Sequence, residues 1–395
     1  MESRSREEIA RAFYAALATG DRNQLDALLH PEFTGRTAEG MPFGIGGDHD
    51  SPAAMRRNGW GAIARHFEAR AKPERFLDLT DGRLLVTGRY LGRGKQGGAP
   101  LDAAFAHLIA IDQDRIKSLE QFTDTARWHD AAGPLRTVLL DFSGGIATLR
   151  LNRPDKGNAI DTDMADDLSE AATQIAERSD VRAVLIAGNG PNFTVGGDLS
   201  LFAGTAREQL PNRLRRMIDS YHLAIERLTS INAPVVAAVR GGAGGGGLGL
   251  LYAADIVVAA DDARFALGYG VLGLTADGGN TWFLPRMIGM RRTQELFLLN
   301  RRLTAQEALG FGLVSRLVPS DAVETEAAAL ATTLAAGPTL AYGAVRRMLR
   351  QSFETGLSDQ LSAEKDSIVA ASRSEDAQEG IAAFVAKRHP QFRGA

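Results

Sequence analysis

The sequence predicts two folded units in series: an α+β unit, then an α/β unit with a helical C-terminal region. Three observations carry this. Up to about residue 130 the helical patterns come first and the strand patterns after, the order of an α+β domain. From Thr137 onward, strand and helix patterns alternate, the order of an α/β domain. Between the two, DAAGPLR (residues 130–136) carries a Gly-Pro break, which sets the units at 1–132 and 133–395.

Composition narrows the function classes. With 44% apolar and 24% charged residues the chain has ample material for a globular core. A net charge of −3 gives no general drive toward nucleic acid or an anionic membrane. The absence of cysteine excludes disulfides, thiolate metal sites and cysteine nucleophiles, and no metal is expected. The start, MESRSREEIARAF, is charged and helical and lacks the apolar core of a secretory signal. No apolar run approaches the ~20 residues that span a bilayer, so the expected location is the cytoplasm.

In the first unit, Ile9, Phe13, Ala16 and Leu17 share one face of a helix over Arg6 to Thr19, stopped at Gly20-Asp21. A short helix over Asn23 to Leu29 should end before His30-Pro31. The stretch from Gly35 to Gly59 reads as a glycine-rich loop, and Gly61 to Ala71 as a third helix before Lys72-Pro73. Strands follow at Phe76–Leu79, Arg83–Leu91, Leu101–Asp112 and Ile116–Thr123, with Gly92 to Pro100 as a hairpin loop. A curved sheet wrapped on a helix, leaving a pocket, is the expected result.

In the second unit, Thr137–Phe142 and Ile146–Leu151 form a hairpin through Ser143-Gly144-Gly145. Asp161 or Thr162 caps a helix reaching Ala176, Val181–Ala187 is a strand, and Asp198 starts another helix. The organising stretch is PVVAAVRGGAGGGGLGLLYAAD, residues 234–255. Val235–Val239 reads as a buried strand, glycines turn the chain, and Leu248, Leu250 and Leu251 fall at helical spacing. Strand, glycine turn and helix aim unpaired N–H groups at one point, backed by the helix dipole. Such a nest holds a phosphate or the oxyanion of an activated thioester, and the glycines alone do not say which. Ile256–Ala260 and Phe265–Leu267 close the β part, and helices occupy the chain from Pro285 onward.

The first unit resembles the SnoaL-like group of the nuclear-transport-factor-2 and ketosteroid-isomerase superfamily. FYAALATGDRNQLDALLHPEF, GWGAIARHF and AHLIAIDQDRIKSLEQFTDTARW carry the likeness. The resemblance implies a cone-shaped α+β fold. On the ketosteroid isomerase pattern, the tyrosine of the first helix becomes Phe13, the general-base aspartate falls near Arg36, and the second aspartate at Ala106. None of these side chains supplies the original group, so a binding or assembly role is the expectation. His107, on a strand facing the presumed cone, is the titratable group to inspect, with hydrogen-bonded packing as its competing reading, and Arg36, Asp48, His49 and Asp50 either line a pocket mouth or are simply solvated.

The second unit resembles the crotonase (enoyl-CoA hydratase/isomerase) superfamily over nearly all of residues 136–393. LNRPDKGNAID, FTVGGDL, the glycine run with Asp255-Ile256, GLTADGGNTWFLPRMIG and EGIAAFVAKRHPQF occur in the family's order. The resemblance implies a spiral of ββα units assembled into trimers or dimers of trimers. The substrate is an acyl-CoA or an acyl-carrier-protein thioester, with coenzyme A belonging to the substrate and no separate cofactor. By position, the thioester carbonyl lies between the N–H groups of Gly197 and Gly246. Coenzyme A runs along Arg153, Lys156, Ala159, Val195 and Gly197, with Lys387 near the C-terminus reaching a neighbouring subunit's ligand. Hydratases of the family use two glutamates, which fall here on Gly249 and Tyr269. Hydration needs one group to deprotonate water and another to protonate carbon, and Gly249 does neither. Asp277 is the surviving carboxylate, at the position used by 1,2-epoxyphenylacetyl-CoA and enoyl-CoA isomerases. The expected reaction is a double-bond shift with Asp277 as acid and base and Tyr269 beside it. Hydrolysis, cyclisation, decarboxylation, dehalogenation or an atypical hydration at the same oxyanion hole is the alternative. A turn or capping role is the competing reading of Asp277, and packing that of Tyr269.

Overall fold

The computed structural model describes residues 4–95 and 97–395. Gln96 of the predicted Gly92–Pro100 loop and the first three residues of the charged N-terminus lie outside the described residues. The chain divides into two compact units, the first ending at Pro134 and the second beginning at Leu135.

The first unit is a six-stranded sheet with helices against it. Its order is Gly47–His49, Leu29–Thr37, Arg115–Thr123, Pro100–Asp112, Leu84–Gly94 and Phe67–Asp78. Ser5 and Glu8 close a capping box at the start of the helix Arg6–Thr19, and Gly20 ends it at φ 69°, a conformation glycine adopts without cost. This helix follows the expectation; two other elements do not. The expected loop Gly35–Gly59 instead holds the end of the strand Leu29–Thr37, the strand Gly47–His49 and the helical segments Pro52–Ala54 and Met55–Trp60, and Leu29–Thr37 runs parallel to Arg115–Thr123. Pro31 sits where the register shifts between Leu29 and Thr34, so its missing N–H breaks no ladder bond. The expected helix through Ala71 stops at His66, because Phe67–Asp78 pairs along its length with Leu84–Gly94. Phe67, Ala69 and Ala71 turn inward while Glu68, Arg70 and Lys72 turn out. That period of two outweighs the helical preference of alanine and lysine. A further helix, Thr125–Ala132, is capped by Asp124 and buries Trp128 completely.

None of the three ketosteroid isomerase positions offers a catalytic group. Phe13 is fully buried against Tyr14 and Trp60. Arg36 is held at the surface by Glu39 and Asp48. Ala106 lies on the strand face opposite the buried series Leu101, Ala103, Phe105, His107. The inward group is His107, buried between Tyr14 Oη (2.7 Å from Nδ1) and Tyr90 Oη (2.9 Å from Nε2). Gln121 Nε2 donates to Tyr90 Oη at 2.7 Å, completing a closed polar chain inside an aromatic cluster. His49 is buried too, bonded to Thr37 Oγ1.

The second unit contains a six-stranded sheet ordered Arg316–Val318, Ile256–Ala260, Val235–Val239, Ala183–Gly188, Ile146–Leu151, Val138–Ser143. All its pairings are parallel except the terminal hairpin. A second, three-stranded sheet joins Gly242–Gly244, Arg264–Ala266 and Arg302–Thr304. Arg302–Thr304 and Arg316–Val318 correct the expectation that strands end near Leu267. Each is only three residues long, too short for its periodicity to show. The amphipathic helix Leu210–Ser230 packs on Thr162–Glu177, which Asp161 caps. Arg346, 7% exposed, ties the C-terminal helices to this frame. It bonds Asp255 at 2.7 Å and the carbonyls of Ala233 and Leu228 at 2.8 and 3.1 Å. Asp255 also accepts the N–H of Val235, so this ion pair, with only its Arg346 side buried, fixes both ends of the central strand–glycine–helix segment. No single helix among the described residues is long and apolar enough to cross a membrane.

Burial drives the His107 pKa down from 6.5 to about 3. The unfolded chain therefore takes up a proton below pH ~6.5 that the folded unit refuses until about pH 3. The stability His107 contributes is complete above pH 6.5 and drains away as pH falls, by up to ~1.4 kcal/mol per pH unit. His49, also lowered chiefly by burial, adds a slope of the same sign. Denaturant titrations of the first unit at pH 7, 6 and 5 should show wild type losing stability faster than His107→Gln. Parallel curves would show that the buried ring is not the acid-sensitive group.

Candidate active site

Three chain segments converge on one cavity of about 330 Å³, each bringing backbone rather than bulk. The first is Val195–Gly197. Ile160 N–H bonds Gly196 O at 2.8 Å and Asp198 N–H bonds Ile160 O at 2.9 Å. In that parallel bridge Gly197 turns its own N–H to the other side, toward the cavity it lines. The second is Gly244–Gly246, where the strand Gly242–Gly244 passes into the 3₁₀ turn Gly245–Leu248. Gly246 stands ahead of the first intrahelical donor, so its N–H is left for an external acceptor. The third is the turn ending at Asp277, before the helix Asn280–Ile288. Phe202, Leu214, Met217, Ile218, Val271 and Leu272 supply an apolar wall suited to an acyl chain.

Asp277 lies directly over Gly246. A β-carbon placed on Gly246 would collide with Oδ1 and stand 3.1 Å from Oδ2. Tyr269, at the second glutamate position, donates its hydroxyl to Asp277 Oδ1, so it does more than fill space. Burial first, and the charge of Asp277 second, push the Tyr269 pKa well up, which keeps that proton in place. Among the described residues no donor reaches Oδ2, and this oxygen is open to the cavity's contents.

The neighbourhood holds residues that no spacing in the sequence singled out. Tyr221 donates to Gly246 O at 2.7 Å. His222 Nε2 accepts the N–H of Gly278 at 3.0 Å, holding the turn just past Asp277. Tyr221 and His222 lie on the helix Leu210–Ser230, far along the chain from the glycines they orient.

The residues expected along coenzyme A fall into two groups. Val195 and Gly197 line the cavity, Ala159 is buried beside them, and Lys156 is exposed on its 3₁₀ turn. Arg153 turns inward instead, with Asp161 at 2.9 Å, Asp198 at 3.1 Å and Ala159 O at 2.5 Å around its guanidinium. Two carboxylates neutralise it, so it orders its loop and is not a free cation. Burial alone would raise the Asp198 pKa, but hydrogen bonds from the Ser200 side chain and the Leu201 N–H, together with Arg153, hold it below the usual range. Lys387 stands after the helix Glu375–Val385, outside the cavity's lining.

Gly249, the first glutamate position, has no room for a side chain. A β-carbon there would run into Ile225 Cδ1, and would lie 2.7 Å from Gly278 O and 3.0 Å from Tyr221 Oη. The missing carboxylate has left no hollow behind it.

Gly197, Gly246 and Asp277 line one apolar cavity of acyl-chain size, an arrangement that fits a crotonase-type thioester enzyme. The comparisons agree. The enoyl-CoA hydratase/isomerase model matches residues 141–395, and the chain belongs to that family of acyl-CoA enzymes. A SnoaL-like domain model matches residues 10–119. The 1,2-epoxyphenylacetyl-CoA isomerase of Escherichia coli is 35% identical over 257 residues, 65% of this chain and 98% of that protein. A probable enoyl-CoA hydratase of Rhodobacter capsulatus is 34% identical over 258 residues, again 65% and 98%. A putative enoyl-CoA hydratase/isomerase structure from Mycobacterium abscessus aligns with TM-score 0.61 and 34% identity, over 65% of this chain and all of the other.

The sealed position gives a direct expectation. Gly249→Glu should not confer hydration of a 2-enoyl-CoA and should destabilise the second unit by about 1–3 kcal/mol, the usual cost of overpacking. Hydratase activity in a stable Gly249→Glu protein would show that the pocket behind Gly246 can open.

Proposed function

We propose that the second unit is an acyl-CoA isomerase that shifts a double bond along the acyl chain. An acyl-carrier thioester is an equivalent substrate for the same site. The observation that carries this reading is Asp277, the only carboxylate among the described residues lining the cavity, seated over Gly246. Asp277 Oδ2 removes a proton from the α or γ carbon of an enoyl thioester. The electrons move to the carbonyl oxygen, giving a dienolate bound by the N–H groups of Gly197 and Gly246. The same carboxyl group returns the proton to the other end of the dienolate, so one base used twice completes a 1,3-shift. Each oxyanion donor contributes ~3–4 kcal/mol to the barrier, the usual range for such groups. Tyr269 keeps its proton on Oδ1 and leaves Oδ2 to react.

Gly249 counts against hydration, since a water-activating side chain has no space there. Coenzyme A enters with the substrate. Lys156 is the exposed cation placed for its phosphates, and Arg153 acts indirectly by shaping the loop. The exposed apolar side chains of the last two helices, including Leu357, Ile368, Ile381 and Phe384, support a trimeric or hexameric assembly. The cytoplasm is the proposed setting, and the first unit is assigned to substrate binding or assembly.

Asp277→Asn keeps the shape of the site and removes the base. It should bind an acyl-CoA as wild type does and isomerise a 3-enoyl-CoA at least ~100-fold more slowly, the low end for general-base catalysis. A variant with undiminished rate would reduce Asp277 to a turn residue, and accumulation of 3-hydroxyacyl-CoA by wild type would replace isomerisation with hydration.

A further inference from the structure

The oxyanion peptide and the base share one buried anchor, Asn280. Its side chain is wholly buried yet engages a partner in every direction. Nδ2 lies 3.2 Å from Gly245 O, 3.1 Å from Tyr269 Oη and 2.8 Å from Asp277 O. Oδ1 accepts the hydroxyl of Tyr252 at 2.7 Å. The two amide protons are thus divided among three acceptors, all belonging to the reacting part of the site.

The Gly245 carbonyl is the other end of the peptide plane that carries Gly246 N–H. Gly245 sits at φ 52° and Gly246 has no β-carbon, so local sterics hold that plane weakly. A hydrogen bond to its carbonyl fixes the plane's rotation and so aims the N–H. It also draws charge toward oxygen, which strengthens the N–H as a donor. On its other side Asn280 donates to Tyr269 Oη, leaving that hydroxyl's proton for Asp277, and it holds Asp277's own carbonyl. A carboxamide in a dry interior is costly unless its bonds are made, and the partners it has here are the parts that chemistry requires in register.

We propose that Asn280, held by Tyr252, is a positioning residue that sets the oxyanion N–H of Gly246 and the Tyr269–Asp277 pair in one geometry. This rests on the thioester site described above, but not on which proton transfer follows.

The test uses the full chain and 4-dimethylaminocinnamoyl-CoA, a push–pull chromophore whose absorption moves to the red when its carbonyl is polarised. Wild type should shift it. Asn280→Ala should lose most of the shift, and kcat for a 3-enoyl-CoA should fall roughly 10- to 100-fold, the range for outer-sphere partners at metal sites. KM should change little. Tyr252→Phe, which keeps Asn280 but releases its oxygen, should move both readouts the same way by less, and it serves if Asn280→Ala does not fold. A full red shift with unchanged kcat in either folded variant overturns the proposal. If wild type shifts the chromophore without isomerising anything, the isomerase reading falls while the shift comparison still decides Asn280. No shift in wild type removes Gly246 from the carbonyl and the proposal with it.

Discussion

The second unit depends on the close approach of backbone to backbone at its centre. Gly244–Gly249 and Asp277–Gly279 press together so tightly that a single methyl group is excluded at three points. A β-carbon on Gly246 meets Asp277, one on Gly278 meets the Gly246 peptide, and one on Gly249 meets Gly278 O. Gly196 meets Gly244 in the same way from the Val195–Gly197 segment. This contact puts the Asp277 carboxylate against the Gly246 backbone without any other side chain between them. It also removes the hydratase position, because the space for a first glutamate is taken by Ile225 and by the turn itself.

Backbone packed that closely gains little from the hydrophobic effect, so polar anchors around it hold the arrangement. Tyr221, His222 and Asn280 each bind a main-chain atom of the glycine run or the Asp277 turn. Behind them, Asp255 with Arg346 fixes the strand that leads into the glycines. Removing Asp255 leaves the buried Arg346 guanidinium without its carboxylate, so the pair braces the strand that leads into the glycine run. The geometry of the glycine run and the Asp277 turn is therefore held by residues scattered from Tyr221 to Arg346.

Much of this was legible in the sequence, and the exceptions share a physical cause. Val235–Val239, Ile146–Leu151 and Ile256–Ala260 are continuous or alternating apolar runs bounded by turn residues, and they form strands with the expected bounds. The glycine run around Gly246 stands out because glycines at a strand-to-helix turn have few other reasons to cluster, whereas Gly197 and Asp277 are marked by the resemblance to the crotonase family. By contrast, Leu29–Thr37 gains its strand from a parallel partner some eighty residues away, and local glycine and proline signals argued against it. Phe67–Ala71 lost a helical preference to cross-strand pairing. Arg153 looked like a free cation because a sequence does not show two carboxylates folding onto it. The bond between Tyr269 and Asp277 depends on the path of an eight-residue turn, and no spacing rule encodes that path.

The central claim is that Asp277 and the two glycine N–H groups act on the same acyl group. A structure of the full chain with a 3-enoyl-CoA analogue that keeps its carbonyl but cannot be isomerised tests it most directly. The account predicts the carbonyl oxygen about 2.7–3.1 Å from both Gly197 N and Gly246 N, with Asp277 Oδ2 beside the α and γ carbons. A carbonyl bound elsewhere, or Asp277 turned away from the acyl chain with another titratable side chain in its place, would contradict it.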